Sequence, residues 1–311
     1  MTERTPSWTL RQIKYFVTTV ECGSVAEASR RLYIAQPAIS SAIKSLEEQF
    51  DSILLLRHHA QGVSLTPAGQ RFYQKSCHLL RMARTFEQDI LADNGTVRGH
   101  IDVGCFETVA PLYLPQILAG FLQKYPEIHV QLRDGEQQEL RQSLHKGHFD
   151  LLILYAHELD DTLTSEPLLP VQQPYVLLPA AHKLAQQTSI SLKELVAEPM
   201  ILLNVPPSQS YFVRIFESAG FKPNIVYSSP SIEMVRGMVG QGFGFSLLVT
   251  RPHINQTYDG KALACLPLSE TVEGSGLVAV WLKSHLPAKP VRLFIDYCKT
   301  WFNQNTSNPA A

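Results

Sequence analysis

The chain is 311 residues long, 45% hydrophobic and 18% charged, with a formal net charge of −1. That length predicts two or three folded units at about 100–200 residues each, and the composition excludes a disordered chain or a membrane bundle. A near-neutral charge also excludes a general polyanion binder, which would be strongly basic. No run approaches the roughly 20 apolar residues that cross a bilayer, and MTERTPSWTLRQ has no apolar stretch like that of a signal peptide. Cys22, Cys77, Cys105, Cys265 and Cys298 are scattered, odd in number and without a CxxC pair. Such usage predicts a reducing cytoplasm, with no disulfide framework, metal or cofactor. Residues 1–100 hold twelve Lys/Arg against nine Asp/Glu and the remainder fifteen against nineteen, a split of +3 and −4.

In chain order, Leu10, Ile13, Phe16, Val17 and Val20 recur at helical spacing and predict a first helix. SVAEASRRLYIAQPAISSAIKSLE, residues 24–47, then reads as two short amphipathic helices joined by a tight turn. Ser24-x-x-Glu27 has the form of a capping box, Ala28 and Leu32 share a face, and Tyr33-Ile34-Ala35 make the turn. Pro37 falls where a second helix begins, a place that tolerates its missing N–H. Ile39, Ile43, Leu46 and Phe50 form a predicted buried stripe, leaving Gln36, Pro37, Ser40, Ser41 and Lys44 outward. A helix with that small polar face enters a DNA major groove without a bulky or anionic barrier. An ordinary helical hairpin shares the spacing, so the flanks decide. Ile53-Leu54-Leu55-Leu56-Arg57 and Val63-Ser64-Leu65 predict two strands around His58-His59-Ala60-Gln61-Gly62, a wing with Gly62 in its turn. Arg57, with His58 and His59, is expected to approach the DNA backbone or minor groove. Thr66-Pro67 opens a long helix to about residue 93, along which Ala68, Phe72, Leu79, Ala83, Phe86 and Ile90 form a dimerising seam.

With these blocks in place the chain resembles the LysR-type transcriptional regulator family over nearly its whole length. The carrying residues are Phe16, Gly23-Ser24, Ala28, Leu32, Gln36-Pro37-Ala38-Ile39-Ser40, Ile43, Leu46-Glu47, Arg57 and Leu65-Thr66-Pro67-Ala68-Gly69. Departures from the family pattern are Ser29 for a usual alanine, Ala35 for a serine or threonine, Asp51 for a glycine and Leu55-Leu56 for a Phe-Glu pair. Ser41 stands in place of an arginine or glutamine, so a bidentate guanidinium contact to guanine is impossible there. The resemblance implies an α/β chain with an N-terminal winged helix-turn-helix, a long linker helix and a two-lobed effector region similar to periplasmic binding proteins.

Residues 94–99 read as a linker, after which strand-like and helix-like segments alternate, as in α/β layers. Strands are predicted at 100–106, 128–132, 150–155, 175–178, 200–203, 225–227, 245–249 and 278–282, with a break in the pattern near 167–174. Helices are predicted behind Tyr113, Ile117 and Phe121, at 137–145, 210–219 and 231–239, and at 291–302. The expected division is 1–66 for DNA binding, 67–93 for dimerisation and 99–302 for the effector. Within the last, lobe I covers about 99–169 and 270–302, lobe II about 170–269, and hinges are expected near 169–171 and 267–269. Leu114-Pro115, Tyr125-Pro126, Gly147-x-Phe149-Asp150, Ala219-Gly220-Phe221-x-Pro223 and Gly242-Phe243-Gly244 resemble the family's effector region. Carrying its pocket over places a small-molecule effector beside Phe106, Glu107 and Thr108 and the loop that includes Pro207, Ser208, Gln209 and Ser210. Ser208 and Ser210 precede a helix whose N–H groups suit a carboxylate, and Glu107 suits an amine. N-capping alone is the competing explanation for the serines.

Other features carry less. Gly240-Gln241-Gly242-Phe243-Gly244 follows a helix and precedes a strand, the reverse of a dinucleotide loop. His145-x-x-His148 lacks a third ligand nearby, and Cys105 lacks a paired resolving thiol. No catalytic constellation is evident, so a non-enzymatic regulator is expected. The alternatives, a solute-binding protein and an α/β oxidoreductase, each leave about a third of the chain unexplained. Expected partners are an operator in double-stranded DNA, the effector and the chain itself. The last forms a dimer through the linker helix and, by the resemblance, a tetramer. If the regulator activates, RNA polymerase is a further partner, and no membrane is involved.

Overall fold

The computed structural model describes residues 7–58, 62–92, 97–157 and 159–305, and only the backbone at 85 and 88–92. His59, Ile90 and the first half of the expected 94–99 linker therefore lie outside the described residues and side chains. The chain divides into two compact units, Met1–Arg98 with Gln142–His148, and Gly99–Arg141 with Phe149–Ala311.

In the first unit, α1 (Leu10–Cys22) begins at a capping box the sequence reading missed. Thr9 Oγ1 accepts from Gln12 N at 3.2 Å, and Gln12 Oε1 accepts from Thr9 N at 2.8 Å. α2 (Val25–Leu32) starts at Ser24, whose hydroxyl accepts from Glu27 N at 3.1 Å. Only half of the expected box forms there, because the Glu27 carboxylate pairs with Arg30 instead. Tyr33 turns the chain in the left-handed region, and the Ser29 hydroxyl donates to Ile34 O at 2.6 Å across that turn. α3 (Gln36–Gln49) starts at Ala35 without a side-chain cap, which forgoes about 1 kcal/mol relative to serine. Ile39, Ile43 and Leu46 are fully buried against Phe16, Val17 and Ala28, each contributing about 1.5–3 kcal/mol. Phe50 departs from the predicted stripe: it lies beyond the helix end, 42% exposed, edge-on to Phe72.

β1 (Leu55–His58) pairs antiparallel with β2 (Gly62–Leu65), Leu55 opposite Leu65 and His58 opposite Gly62. Glu47 Oε1 anchors this hairpin by accepting from Leu54 N and Leu55 N at 2.8 and 3.1 Å. α4 (Pro67–Ala92) is capped by Thr66, whose hydroxyl oxygen accepts from Gly69 N at 2.8 Å. Phe72, assigned by spacing to the dimerising seam, packs edge-on to Phe16 and Phe50 of its own unit, 5.1 and 4.9 Å away. Met82 and Phe86 remain 54% and 68% exposed.

The second unit has two sets of sheets. β3 (Gly99–Phe106), α5 (Ala110–Lys124) and β4 (Ile128–Gly135) form a parallel βαβ unit, followed by α6 (Gln137–His145) and β5 (Leu151–Tyr155). β6 (Leu163–Gln172) was expected as a break in the pattern, yet it is a strand at the sheet's edge, in the order β4-β3-β5 and then β12 (Ser275–Leu282) and β6. Pro167 and Pro170 are tolerated because an edge strand has donors to spare, and the register shifts beside them. β7 (Tyr175–Pro179) opens the other set, followed by the short α7 (Leu192–Leu195) and β8 (Pro199–Leu203). α8 (Ser208–Ser218) crosses to β9 (Asn224–Ser229), which lies parallel to β8. α9 (Ile232–Gly240) leads to β10 (Ser246–Leu248), and β10 and β11 (Leu263–Pro267) flank β7. α10 (Lys289–Asn305) returns to the first sheet. The chain thus passes between the two sets at residues 173–174 and 268–274; the expected hinge at 169–171 is instead part of β6.

Glu166 on β6 meets both terminal nitrogens of Arg292, at 2.5 and 2.6 Å, and also Lys299. The Arg292 hydrogen bonds, and then Lys299, hold its carboxyl at about 2. A depressed folded value makes the contribution complete above about pH 4.5 and lost as pH falls through about 2. Glu166→Gln should flatten that acid limb in urea denaturation and cost about 1–3 kcal/mol at pH 7.

Candidate DNA-binding surface and effector cavity

On α3 the apolar stripe is inside, and Gln36, Pro37, Ser41 and Lys44 are exposed, with Ser40 half-buried. The Lys44 ammonium lies 3.6 Å from Glu48 one turn on, an exposed pair that a phosphate can replace at small cost. Arg57 and His58 are exposed on β1, and His58 Nε2 sits 2.7 Å from the Ser64 hydroxyl. The wing is held close to the turn between α1 and α2: Val63 N donates to Gly23 O at 2.8 Å. Gly62 makes this approach possible, since it has φ +88° and an added Cβ would lie 2.2 Å from that same oxygen. A helix face of small polar residues with Lys44, and a strand carrying Arg57, thus occupy one compact unit.

In the second unit a cavity of about 20 Å³, room for about one water, lies between the two sets of sheets. One wall is Thr108, after β3, with Tyr155 and His157 at the end of β5 and Ser275 at the start of β12. The other is Leu203 and Pro207, then Ser208, Tyr211 and Phe212 of α8, with Ile232 and residues 248–250 beyond. The Tyr155 and Thr250 hydroxyls are 2.5 Å apart and join the two walls. The His157 ring rests on that of Tyr211 with centroids 5.4 Å apart, and Tyr211 donates its phenol hydrogen to Glu273 O. Burial pushes the Tyr155 phenol well up, and burial with Glu273 nearby raises Tyr211 to about 12, so both stay neutral donors.

Of the seven residues expected around the effector, Thr108, Pro207 and Ser208 line this cavity. Phe106 is buried behind it against Tyr155, ring centroids 5.7 Å apart. Gln209 and Ser210 are exposed, and the Ser210 hydroxyl donates back to Pro207 O at 3.0 Å. Glu107 is not in the lining either. Burial, and then the neighbouring carboxylates of Glu136, Asp134 and Glu139, raise its carboxyl. Sequence reasoning missed Tyr155, His157, Tyr211, Thr250 and Ser275. They come from four distant segments that no local spacing links, although strand ends facing a helix start were a usable signal. Cys105 is fully buried, which pushes its thiol up.

Comparison with known proteins identifies both units. Residues 10–70 match the family described as bacterial regulatory helix-turn-helix protein, lysR family, and residues 94–303 match the LysR substrate binding domain. The regulator AlsR of Bacillus subtilis is 31% identical over 246 residues, 77% of this chain and 80% of that protein. The crystal structure of HinK, a LysR family transcriptional regulator from Pseudomonas aeruginosa, is 60% identical, covering 95% of this chain and 99% of that one with a TM-score of 0.65. A cysteine-to-aspartate variant of full-length OxyR from Pseudomonas aeruginosa shares the fold at 23% identity and a TM-score of 0.74, covering 94% and 97% of the two chains. The chain belongs to the LysR family: it is a DNA-binding transcriptional regulator with an effector-binding domain.

Proposed function

We propose that residues 1–66 read an operator through α3, with Gln36, Pro37, Ser40, Ser41 and Lys44 toward the major groove and Arg57 of the wing on the backbone or minor groove. The observation that carries this is the division of α3 into a buried stripe and an exposed face free of bulky or anionic side chains over its first two turns. Small side chains at Ser40 and Ser41 let the helix approach closely but supply single, permissive hydrogen bonds. Sequence choice then depends on Gln36, Lys44 and the second half-site. Residues 67–93 form the dimerising element through a second copy of α4, and the exposed Met82 and Phe86 supply the seam. Because Phe72 serves its own core, Phe86→Asp alone is the clean disruption of that seam. Two dimers joined through residues 99–302 give a tetramer. The protein acts in the cytoplasm, and RNA polymerase is its further partner where it activates.

The effector is a small organic molecule held in the cavity beside Thr108, Pro207 and Ser208. A ligand touching both walls biases their separation only by binding one arrangement better, and a 20 Å³ cavity leaves little room for a ligand unless that separation changes. Selection of fragments from the organism's own DNA by the purified protein tests the operator reading. A few enriched fragments sharing a motif support it, and uniform retention of all fragments overturns it.

A further inference from the structure

Folded proteins rarely leave buried polar atoms without a partner, because each costs about 1–3 kcal/mol. Among the described residues those left so are Gln137 Oε1, His157 Nε2, Arg236 Nε and Nη1, and Ser275 Oγ. His157 and Ser275 both line the cavity, and Ser275 is only 4% exposed. Gln137 belongs to the same neighbourhood: its amide nitrogen donates to His157 O at 2.8 Å and fixes the segment that carries the imidazole. Facing them is the start of α8, where Pro207 is the cap residue and no side chain caps the helix. Gln209 N and Tyr211 N find carbonyls at Val205 and Pro207, whereas Ser208 N and Ser210 N have no backbone partner among the described residues.

We propose that His157 and Ser275 are the polar recognition residues of the effector and that the effector is a compact monocarboxylic acid with an apolar body. This rests on the reading of the cavity as the effector site. Among the described residues no Asp, Glu, Lys or Arg lines the cavity, so none of them offers an ammonium a counter-charge for its desolvation. A carboxylate is different, because it only accepts, and the site offers donors. These are the Ser275 hydroxyl, the His157 Nε2–H tautomer and the uncapped N–H groups of an 11-residue helix. The body of the acid then lies against Leu203, Phe212, Ile232 and Leu248, all apolar. Since the cavity has room for about one water, the acid enters as the walls part and is then enclosed between them. That enclosure favours compact molecules and converts binding into a change of lobe angle.

The test is calorimetric titration of the full chain with hexanoate, benzoate and 3-phenylpropionate, each beside its primary amide and the matching amine. At least one acid should bind, and its amide should bind about tenfold or more weakly. Ser275→Ala and His157→Ala should each weaken that acid about tenfold or more, while His157→Gln, which keeps an N–H donor, recovers part of the loss. Residual amide affinity should change far less in these variants. Absence of binding by every acid overturns the proposal. So does an amide or amine that matches the acid, or acid affinity unchanged in both alanine variants. Ser208→Phe, which fills the cavity, separates the two readings. A neutral or cationic ligand lost in that variant keeps the cavity and rejects the acid, whereas any ligand that survives it removes the effector from this cavity. Ser275→Ala deletes a single oxygen, so the experiment stands even if an imidazole variant fails to fold.

Discussion

Replacing Phe121 by alanine is expected to destabilise the effector unit by about 3–5 kcal/mol, the usual cost of emptying a buried aromatic site. Phe121 is fully buried on α5 and meets Phe294 of α10 nearly edge-on, 4.9 Å between centroids at 89°. Tyr297 and Tyr125 close the same cluster at 5.6 and 5.0 Å. These rings fasten α5 and α10 together on the first sheet. Rigid rings collapse poorly into a vacated volume, so most of the cavity should persist. Phe121→Leu should cost less than alanine, because it leaves a smaller cavity. Urea midpoints followed by near-ultraviolet circular dichroism measure both, and a loss under about 1 kcal/mol for alanine would remove this cluster from the account.

Gly62→Ala should abolish most DNA affinity, by about tenfold or more, while Gly23→Ala should cost only about 1 kcal/mol of stability. Both glycines have positive φ, +88° and +67°, so both substitutions carry backbone strain. They differ in their surroundings. A Cβ on Gly23 meets nothing within 4 Å, whereas one on Gly62 would press on Gly23 O at 2.2 Å. That oxygen already accepts from Val63 N, so the wing must move and lose its tether. The core of Ile39, Ile43 and Leu46 is elsewhere, and helical content should stay unchanged. Equal DNA binding by Gly62→Ala and wild type would contradict a fixed wing.

How much of this was legible in the sequence depended on the range of the interaction concerned. α1 to α4 could be read because period and caps are local; Ile39, Ile43 and Leu46 follow directly from spacings of four and three. Phe72 misled, since a residue at a seam position can equally fill the core of its own unit, and only Phe16 and Phe50 in space decide that. β6 was missed because two prolines argue against a strand until the sheet order makes it an edge. Ala35 and Asp51 are informative departures: one omits a helix cap, and the other holds φ +46°, the backbone state that the usual glycine adopts without strain. At the cavity, resemblance led to Thr108, Pro207 and Ser208. Tyr155, His157 and Ser275 needed the fold, because strands β5 and β12 become neighbours only after the chain has crossed to the other sheets and returned.

The most direct test of the account is the affinity of wild type, Lys44→Ala and Arg57→Ala for one selected operator fragment and for a scrambled fragment across a salt series. If Lys44 touches a base, its variant should lose about 1–3 kcal/mol on the operator and little on the scrambled fragment. Arg57→Ala should weaken binding to both and flatten the salt dependence by about one unit of slope. Unchanged affinity and unchanged slope in both variants would contradict the claim that α3 and the wing are the surface through which this regulator reads DNA.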